Sequence, residues 1–320
     1  MNNYDVIALG ELLIDFTENG TSAQGNPVME ANPGGAPCNV LAMLTKLGHK
    51  TAFIGKVGDD MFGTQLEEAL KEVGISTDYL MKDKEVHTTL AFVHTFPDGD
   101  RDFSFYRKPG ADMMLSADEV PTDAIEASRI FHFGTLSMTD EVCEKATKKA
   151  VDVAENSGKI ITFDPNLREP LWKSLDEARV AVEYGISKCD VLKISDNEIS
   201  WLMDTEDYDE GVKKIFEANP KVKLILVSLG RDGSRAYTRE KSATKAPFLQ
   251  ENTIETTGAG DTFTACILHY ILDNGLKDYT EAELVDMLTF ANAAASLITT
   301  RKGALRVMPD RKEIEDCINR

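Results

Sequence analysis

A glycine-rich segment at residues 256–263, TTGAGDTF, carries the clearest chemical signal in this sequence. It opens an apolar run over 263–272, which is too short to span a membrane and is typical of a buried helix. Gly258 and Gly260 would let the backbone approach a ligand closely, at a helix start where unpaired N–H groups favour anions. Asp261 is then either a helix cap or a general base aimed at a phosphate acceptor.

Short apolar runs that alternate with helical patterns must position this segment. The predicted strands are Val6–Leu9, Ala52–Val57, Ile130–Phe133, Ile160–Phe163, Val191–Ile194 and Leu224–Val227. The predicted helices run from about Cys38 to Leu47, from about Phe62 to Val73 and over roughly Asp140–Asn156, and they stop at Gly48, Gly74 and Gly158. This alternation predicts an α/β fold with a doubly wound, mainly parallel sheet.

Small and polar residues follow these strands repeatedly. They are Gly10 and Asp15, Gly134 and Thr135, Asp164, Asn166 and Arg168, Ser195 and Glu198, and Ser228, Gly230 and Gly233. Ligands of open α/β sheets bind outside the carboxyl ends of the strands, so we expect the binding site at this edge.

One region interrupts the alternation of helices and strands. Two strand-like segments, 90–96 and 103–106, are joined by Pro-Asp-Gly-Asp at 97–100, which predicts a hairpin. The hairpin is either a lid over the site or an ordinary surface hairpin, and the pattern favours neither. Because no repeat or flexible linker is present, we expect one domain plus this lid.

Composition excludes several classes of function. The 320 residues carry a formal net charge of −19, which argues against nucleic acid or an anionic membrane as a partner. There is no signal-peptide pattern and no membrane-length apolar stretch, and the five scattered cysteines lack CxxC spacing, so a reducing cytoplasm is expected. A Walker A motif, a protein-kinase signature and a complete GxGxxG after the first strand are all missing.

Simple structural explanations compete with function at three places. Asp164 and Pro165 are typical of a helix cap and first helical position, although that explanation leaves Arg168 without a role. The segment 34–39 is, taken alone, best interpreted as a capped helix after a glycine turn, and Asp15 as a solvated loop residue.

Taken together, these segments resemble the PfkB, or ribokinase-like, family of sugar kinases over nearly the whole chain. The two signature stretches are GGAPCNVLAMLTKLG at 34–48 and TTGAGDTF, and further similar positions are FGTLS (133–137), SDNE (195–198), SLGRDG (228–233) and ANAAASLITTRKGA (291–304). GGAPxN, FSFYRKPGAD and DPNLRxxLW are most similar to fructokinases. Ribokinases usually carry lysine where Ala36 stands.

The resemblance implies a single ribokinase-like domain over 1–320, with a β lid built from about 12–33 and 88–110. It implies an ATP-dependent sugar kinase that makes fructose 6-phosphate from fructose, with Mg²⁺ and, in addition, K⁺ as cofactors. A 2-keto-3-deoxygluconate kinase and a catalytically silent binding protein of the family are the alternatives, and a dehydrogenase is a weaker one. A homodimer is allowed, since lid edges in this family either pair between subunits or do not.

The resemblance also assigns roles to individual residues. Asp261 is expected to be the catalytic base, and the N–H groups of Gly258, Ala259 and Gly260 the anion hole. The expected sugar-binding residues are Asp15, Gly34, Asn39, Arg107 and Arg168; the nucleotide-binding residues are Ser195, Ser228, Gly230, Gly233 and Asn292. Glu198 is expected to act on Mg²⁺ through water. The expected potassium ligands are Glu255, Thr257, Ile298, Arg301 and Gly303.

Two positions depart from the family pattern. Ser195 replaces the usual asparagine of the NxxE motif, and Glu255 stands where aspartate is usual, which leaves the potassium site open.

Overall fold

The structure is a computed structural model that describes residues 4–95 and 101–320. Its strands are β1 (Val6–Leu9), β2 (Leu13–Thr21), β3 (Pro27–Gly34), β4 (Thr51–Gly58), β5 (Ser76–Asp83), β6 (Leu90–Thr95), β7 (Arg101–Tyr106), β8 (Ile130–Gly134), β9 (Ile160–Asp164), β10 (Val191–Ser195), β11 (Leu224–Ser228), β12 (Ser234–Tyr237) and β13 (Ser242–Lys245). Its α-helices are α1 (Ala36–Lys46), α2 (Met61–Val73), α3 (Thr122–Glu126), α4 (Glu141–Asn156), α5 (Leu175–Lys188), α6 (Asp196–Met203), α7 (Tyr208–Ala218), α8 (Ala259–Asn274), α9 (Glu281–Ile298) and α10 (Arg311–Ile318).

The central sheet has nine strands among the described residues, in the order β13-β12-β11-β10-β9-β8-β1-β4-β5. Seven of them, from β11 to β5, are parallel to one another, and β12 and β13 continue the sheet in antiparallel fashion at one edge. The expected doubly wound, mainly parallel sheet is confirmed. Strand β5 and the antiparallel pair β12–β13 were missed because their sequences are more polar than those of the central strands.

Helices cover both faces of this sheet, which is why its central strands are apolar on both sides. Along β1, Val6 and Ala8 pack into one hydrophobic core that includes residues of α1, α8 and α9. Ile7 and Leu9 point the other way, into a second core that includes residues of α4, α5 and α7. Each central strand therefore contributes to two cores, and its position is fixed from both sides.

The helix ends follow ordinary capping chemistry. Helix α2 begins after Asp60, whose side chain accepts a hydrogen bond from Gly63 N, and it ends at Gly74, which adopts the left-handed conformation with φ 86°. Asp140 caps α4 in the same way. The predicted helix bounds are confirmed to within two residues.

A second, smaller sheet has the order β3-β2-β6-β7. Strand β2 pairs with β3 in antiparallel and with β6 in parallel orientation, and β6 and β7 form the predicted antiparallel hairpin. The predicted turn at 97–100 lies outside the described residues. Aromatic rings pack on this sheet: Phe16 stacks on Phe92 at 4.8 Å between ring centroids.

The parallel strands bring their carboxyl ends to one edge of the large sheet. The beginnings of α1 and α8 lie at the same place, and the two helices pack side by side. Within the described residues, no helix combines the length and the apolarity that a membrane crossing requires.

Candidate active site

Asp261 lies in the first turn of α8 and faces a cavity of about 330 Å³. The helix begins after Gly258, whose backbone is left-handed (φ 75°, ψ 0°), and no side chain caps its first turn. Asp261 is therefore not a helix cap, and its carboxylate is exposed to the cavity. The cavity is large enough for a small ligand.

Asn39 holds the Asp261 carboxylate in place. Its Nδ2 donates a hydrogen bond of 2.8 Å to Asp261 Oδ2. Asn39 is itself buried near the start of α1, a helix that begins after Gly35 with φ 129° and carries Pro37 in its first turn. The helix expected after the glycine turn at 34–39 is confirmed, but Gly35 supplies no side-chain cap, and Glu11 accepts from Ala36 N instead. Among the described residues, Asn39 Oδ1 is buried and has no hydrogen-bond partner.

Burial raises the pKa of Asp261 to about 6. The hydrogen bond from Asn39 lowers this pKa, the nearby charge of Asp164 raises it, and the cations Lys193 and Arg168 lower it. At pH 7 the carboxylate is therefore mainly ionised and still basic enough to accept a proton, as a general base requires.

The backbone at the start of α8 is suited to an anion. The N–H of Ala259 donates to the Thr256 carbonyl at 3.2 Å, which closes the turn. For the amides of Gly258 and Gly260, the described part of the chain offers no backbone acceptor. A Cβ on Gly258 would lie 2.7 Å from the Cβ of Ala304, so both the backbone conformation and the packing require glycine there. Of the three predicted N–H groups, two are thus available, and Ala259 is committed to the turn.

Lys193 is a functional candidate that the sequence did not reveal. Its ammonium lies 3.1 Å from Asp164 Oδ2, and both side chains are buried. A Cβ on Gly260 would lie 3.3 Å from Lys193 Nζ, so this cation is next to the first turn of α8 and lines the same cavity. Lys193 therefore adds a positive charge where the helix start already favours an anion.

The capped helix considered at Asp164 and Pro165 is wrong. Asp164 is the last residue of β9, and the chain continues as irregular backbone until a short 3₁₀ turn at Glu169–Leu171. Its carboxylate pairs with Lys193 instead, and it also accepts a hydrogen bond from Asn166 N at 3.2 Å.

The solvated loop residue considered at Asp15 is wrong, because Asp15 lies within β2 and is largely buried. Asp15 and Gly34 are diagonal neighbours on the paired strands β2 and β3, and both line the cavity. A side chain on Gly34 would overlap the Asp15 carboxylate, so glycine is what leaves room for it. Burial raises the pKa of Asp15 to about 7, the cation Arg168 lowers it, and Glu255 and Asp261 raise it further. Arg168 is exposed and lines the cavity from its rim.

Glu11 is a second residue that the sequence did not single out. It is buried, it lines the cavity, and its Oε1 accepts a hydrogen bond of 2.8 Å from Ala36 N at the start of α1. Burial raises its pKa to about 7, hydrogen bonds from backbone N–H groups lower it, and the charge of Asp112 raises it. Glu11 thus ties the strand end after β1 to the helix that carries Asn39.

Arg107 differs from the prediction that it faces the sugar. Its guanidinium is buried and forms a salt bridge of 2.7 Å with Asp112. Its Nη1 donates to Thr139 Oγ1, and its Nη2 also donates to the Leu136 carbonyl. Its donors are thus occupied, and Arg107 does not line the described cavity. It instead connects the end of β7 to the segment after β8.

The predicted nucleotide residues lie further along the same sheet edge. Ser195 and Ser228 are paired neighbours at the ends of β10 and β11. Gly230 and Gly233 form the following turn, with φ values of 55° and 95°. Asn292 is buried on α9, where its Oδ1 accepts from Ser234 and its Nδ2 donates to two carbonyls of the 245–246 segment. Asn292 therefore holds that segment rather than pointing freely into a pocket.

The two predicted metal regions consist of oxygen donors. Glu198 forms a capping box with Ser195 and also accepts from Leu167 N at 2.8 Å, so both of its carboxylate oxygens have partners. That arrangement fits a role through water better than direct ligation. Glu255 Oε1 accepts from Gly303 N at 2.7 Å, and both residues line the cavity with Thr257.

The other predicted potassium residues lie close by in the chain. Arg301 N donates to the Ile298 carbonyl at 3.1 Å, and the amides of Ile254 and Glu255 donate to the Thr299 carbonyl. The 254–257 segment and the 298–303 segment are thus joined, and carboxylate, hydroxyl and carbonyl oxygens are the donors that hard cations prefer.

Comparison with known proteins identifies the family to which this geometry belongs. The family model for pfkB family carbohydrate kinases matches residues 3–311. The chain belongs to this family. It is 39% identical to "Probable fructokinase-4" of Arabidopsis thaliana over 98% of this chain and 96% of that protein.

Solved structures of this kinase family superpose closely on the chain. A fructokinase with bound ATP from Xylella fastidiosa matches with a TM-score of 0.89 and 29% identity, over 99% of this chain and 98% of that one. A double-mutant fructokinase from Vibrio cholerae O395, in fructose, ADP and potassium ion bound form, matches with a TM-score of 0.87 and 26% identity, over 99% of this chain and all of that one. The predicted ribokinase-like fold is confirmed.

The chemistry of a carbohydrate kinase suits this site. Phosphoryl transfer needs positioned reactants and neutralised charge more than covalent catalysis. A basic carboxylate, a buried lysine and two helix-start amides without a backbone acceptor among the described residues lie around one cavity here.

Proposed function

We propose that this pfkB carbohydrate kinase is an ATP-dependent fructokinase. The observation that carries the proposal is the position of Asp261: it faces the cavity at the start of α8, oriented by Asn39 and with its pKa raised to about 6. The similarity to fructokinases over nearly the full chain supports the choice of substrate.

In the proposed reaction, the primary hydroxyl at C6 of fructose attacks the γ-phosphorus of ATP. Asp261 takes the hydroxyl proton, the new O–P bond forms, and the bond between phosphorus and the β,γ-bridging oxygen breaks to release ADP. The amides of Gly258 and Gly260 stabilise the charge on the transferring group, and Lys193 adds to this. Mg²⁺ bound with the nucleotide would neutralise phosphate charge, and Glu198 would hold it through water.

The sugar is proposed to bind between Asp15, Gly34 and Asn39. Asp15 offers carboxylate oxygens to sugar hydroxyls, and Asn39 lines the cavity beside Asp261, whose carboxylate it holds. The 2-keto-3-deoxygluconate alternative required a basic partner for the substrate carboxylate, and Arg107 was the candidate. Asp112 already neutralises Arg107, so this partner is taken, and the choice of a neutral sugar rests on the similarity to fructokinases.

Other parts of the proposal concern the nucleotide and the monovalent cation. Ser195, Ser228, Gly230 and Gly233 would contact ATP along the sheet edge, and Asn292 would act by holding the 245–246 segment against it. Potassium would bind at the junction of the 254–257 and 298–303 segments, despite glutamate at position 255.

The small sheet, defined as β3-β2-β6-β7, is proposed to be the lid. Val93 and Phe105 of this sheet line the cavity together with Asp15, so the sheet covers the sugar side of the site. A closed lid would keep water from taking the phosphoryl group. A homodimer and a cytoplasmic location remain predictions.

A coupled ADP-release assay on fructose, ribose, adenosine and 2-keto-3-deoxygluconate tests the proposal. We expect the highest kcat/KM on fructose, with fructose 6-phosphate as product. Turnover only on another of these substrates would support kinase activity but would refute fructose as the substrate. Thermal stabilisation by sugar or ATP without any turnover would support the catalytically silent alternative.

A further inference from the structure

Two imidazoles and a carboxylate meet far along the helices that begin at the active site. His49 follows the end of α1, whereas His269 and Asp273 lie one turn apart on α8. His49 Nε2 and His269 Nδ1 are 2.7 Å apart, and His269 Nε2 lies 3.5 Å from Asp273 Oδ2. One ligand atom from each residue can be chosen so that all three lie within 4.8 Å of one another.

The surroundings of this cluster resemble those of a metal site. Both imidazoles are largely buried, with side chains about 12% and 9% exposed, so packing holds the two rings in place. Asp5 Oδ2 lies 3.8 Å from His49 Nδ1, on the side of the ring away from His269. A carboxylate hydrogen-bonded behind a ligating imidazole is the usual arrangement that orients such a ring, and Asp5, at 3.8 Å, would have to move closer to supply it.

We propose that His49, His269 and Asp273 bind a divalent transition-metal ion, with Zn²⁺ as the first candidate. Two imidazole nitrogens and one carboxylate oxygen are a donor set that suits Zn²⁺, Ni²⁺ and Cu²⁺, and water would complete the coordination. Bonds of about 2.0–2.2 Å place tetrahedral ligand atoms about 3.3–3.6 Å apart. If His49 Nε2 and His269 Nδ1 both bind the ion, these atoms must separate from 2.7 Å, and the carboxylate oxygen must adjust to the same spacing. Asp273, about 54% exposed, is free to make that movement.

Arg311 is the competing cation at this site. Its Nη2 lies 2.8 Å from His269 Nε2, and its side chain is about half exposed. In the metal-free protein Arg311 donates to this nitrogen, so a metal ion bound at Nε2 must displace that contact. A metal ion bound at either nitrogen of the ring must overcome the guanidinium charge. This gives the proposal a specific signature. Removal of Arg311 should strengthen metal binding at a true metal site. In a purely structural cluster, the same change would only weaken the packing of the cluster.

The site has a mechanical consequence for the kinase. Asn39 and Asp261 join α1 and α8 near their first turns, and His49 and His269 join the same pair at the other end. A metal ion would fasten the two helices together at the end opposite the catalytic carboxylate. We therefore expect bound metal to raise the unfolding temperature, since a ligand that binds the native state stabilises it.

The test uses the full chain without nucleotide, because ATP binds metal ions itself. Zn²⁺ affinity is measured by isothermal titration calorimetry on chelator-treated protein and on the variants His49→Gln, Asp273→Asn and Arg311→Gln. His87→Gln is the matched control, since His87 is exposed and lies 3.5 Å from one carboxylate, that of Asp60, outside this cluster. We expect a loss of roughly tenfold or more for the first two, no change for the control, and tighter binding for Arg311→Gln.

Electron paramagnetic resonance of the Cu²⁺ form supplies the second readout. We expect hyperfine coupling to two imidazole nitrogens, reduced to one in His49→Gln. Equal Zn²⁺ affinity in wild type, His49→Gln and Asp273→Asn would overturn the proposal. Cu²⁺ spectra without nitrogen coupling would overturn it as well. Asp273→Asn keeps the experiment decisive if a histidine variant fails to fold, because its side chain is mostly exposed.

Discussion

The side-chain amide of Asn39 donates a 2.8 Å hydrogen bond to the carboxylate of Asp261, which lies 222 residues later in the chain. The bond joins the first turns of α1 and α8, so it couples the two signature segments of the family at one point. The hydrogen bond from Asn39 lowers the pKa of Asp261 and also orients its carboxylate. Asn39 therefore affects both the protonation and the orientation of the proposed base.

Removing the Asn39 donor should change the pH profile as well as the rate. In Asn39→Leu we expect kcat to fall by about 10²-fold, since the base is no longer held in place. The pKa of Asp261, about 6 in the wild type, should rise, so the acid limb of kcat/KM moves to higher pH. A reduced rate with an unmoved acid limb would show that Asn39 binds sugar only.

Variants of the buried pair of Lys193 and Asp164 should show separate effects on stability and on catalysis. Lys193→Met leaves the Asp164 carboxylate buried and uncompensated, at a cost of about 3–5 kcal/mol in unfolding free energy. The double variant Lys193→Met/Asp164→Asn should recover much of this stability in urea unfolding. Its kcat should stay low, because the positive charge beside the transferring phosphoryl group is still missing. Recovery of both stability and kcat would give Lys193 a purely structural role.

Gly258 should tolerate no side chain. Gly258→Ala places a side chain on a residue in the left-handed conformation, which costs about 1–3 kcal/mol. The added Cβ would also lie against Ala304. Gly158→Ala is the matched control: its φ is 64°, and an added Cβ meets nothing within 4 Å. Thermal melts and kcat of both variants give the comparison. Equal losses would mean that backbone strain alone, rather than the shape of the anion site, explains the effect.

Glu11 should make the fold less stable at alkaline pH. Its folded-state pKa is raised to about 7 from an ordinary 4.5, so its contribution to stability is fully present below pH 4.5 and is lost as the pH rises through 7. By pH 8 the ionised, buried carboxylate costs on the order of 3 kcal/mol.

Glu11→Gln keeps the acceptor for Ala36 N and removes the charge. Urea unfolding at pH 5 and pH 8 should therefore show a smaller loss of stability in the variant than in the wild type. Asp15, whose pKa is also raised to about 7, accounts for pH dependence of the unfolding free energy that remains in the variant. Parallel pH dependence in both proteins would contradict this assignment.

The sequence predicted features that lie within one short segment, but not contacts between residues far apart in the chain. The apolar run after Asp261 and the glycines before it predicted α8 and its anion site, because both are properties of one short segment. Strand β10 shows the opposite case. Lys193 is one polar residue within an apolar strand, and its partner Asp164 lies 29 residues earlier. Only the parallel pairing of β9 and β10 brings the two side chains together.

Arg107 shows how a correct motif can mislead about a side chain. A basic residue at the end of a predicted lid suggests a ligand contact. Asp112, five residues later, forms a salt bridge with the guanidinium. The presence of this acidic residue so near in the sequence was the signal that could have indicated the pairing. The cluster of His49 and His269 had no local signal, because 220 residues separate the two rings.

Turnover of Asp261→Asn on fructose and ATP tests the central claim most directly. With ATP binding measured by calorimetry as the control for an intact site, we expect near-normal ATP affinity and a kcat reduced by about 10²–10⁴-fold. Near-normal kcat in a folded variant that binds ATP would show that this carboxylate does not take the proton.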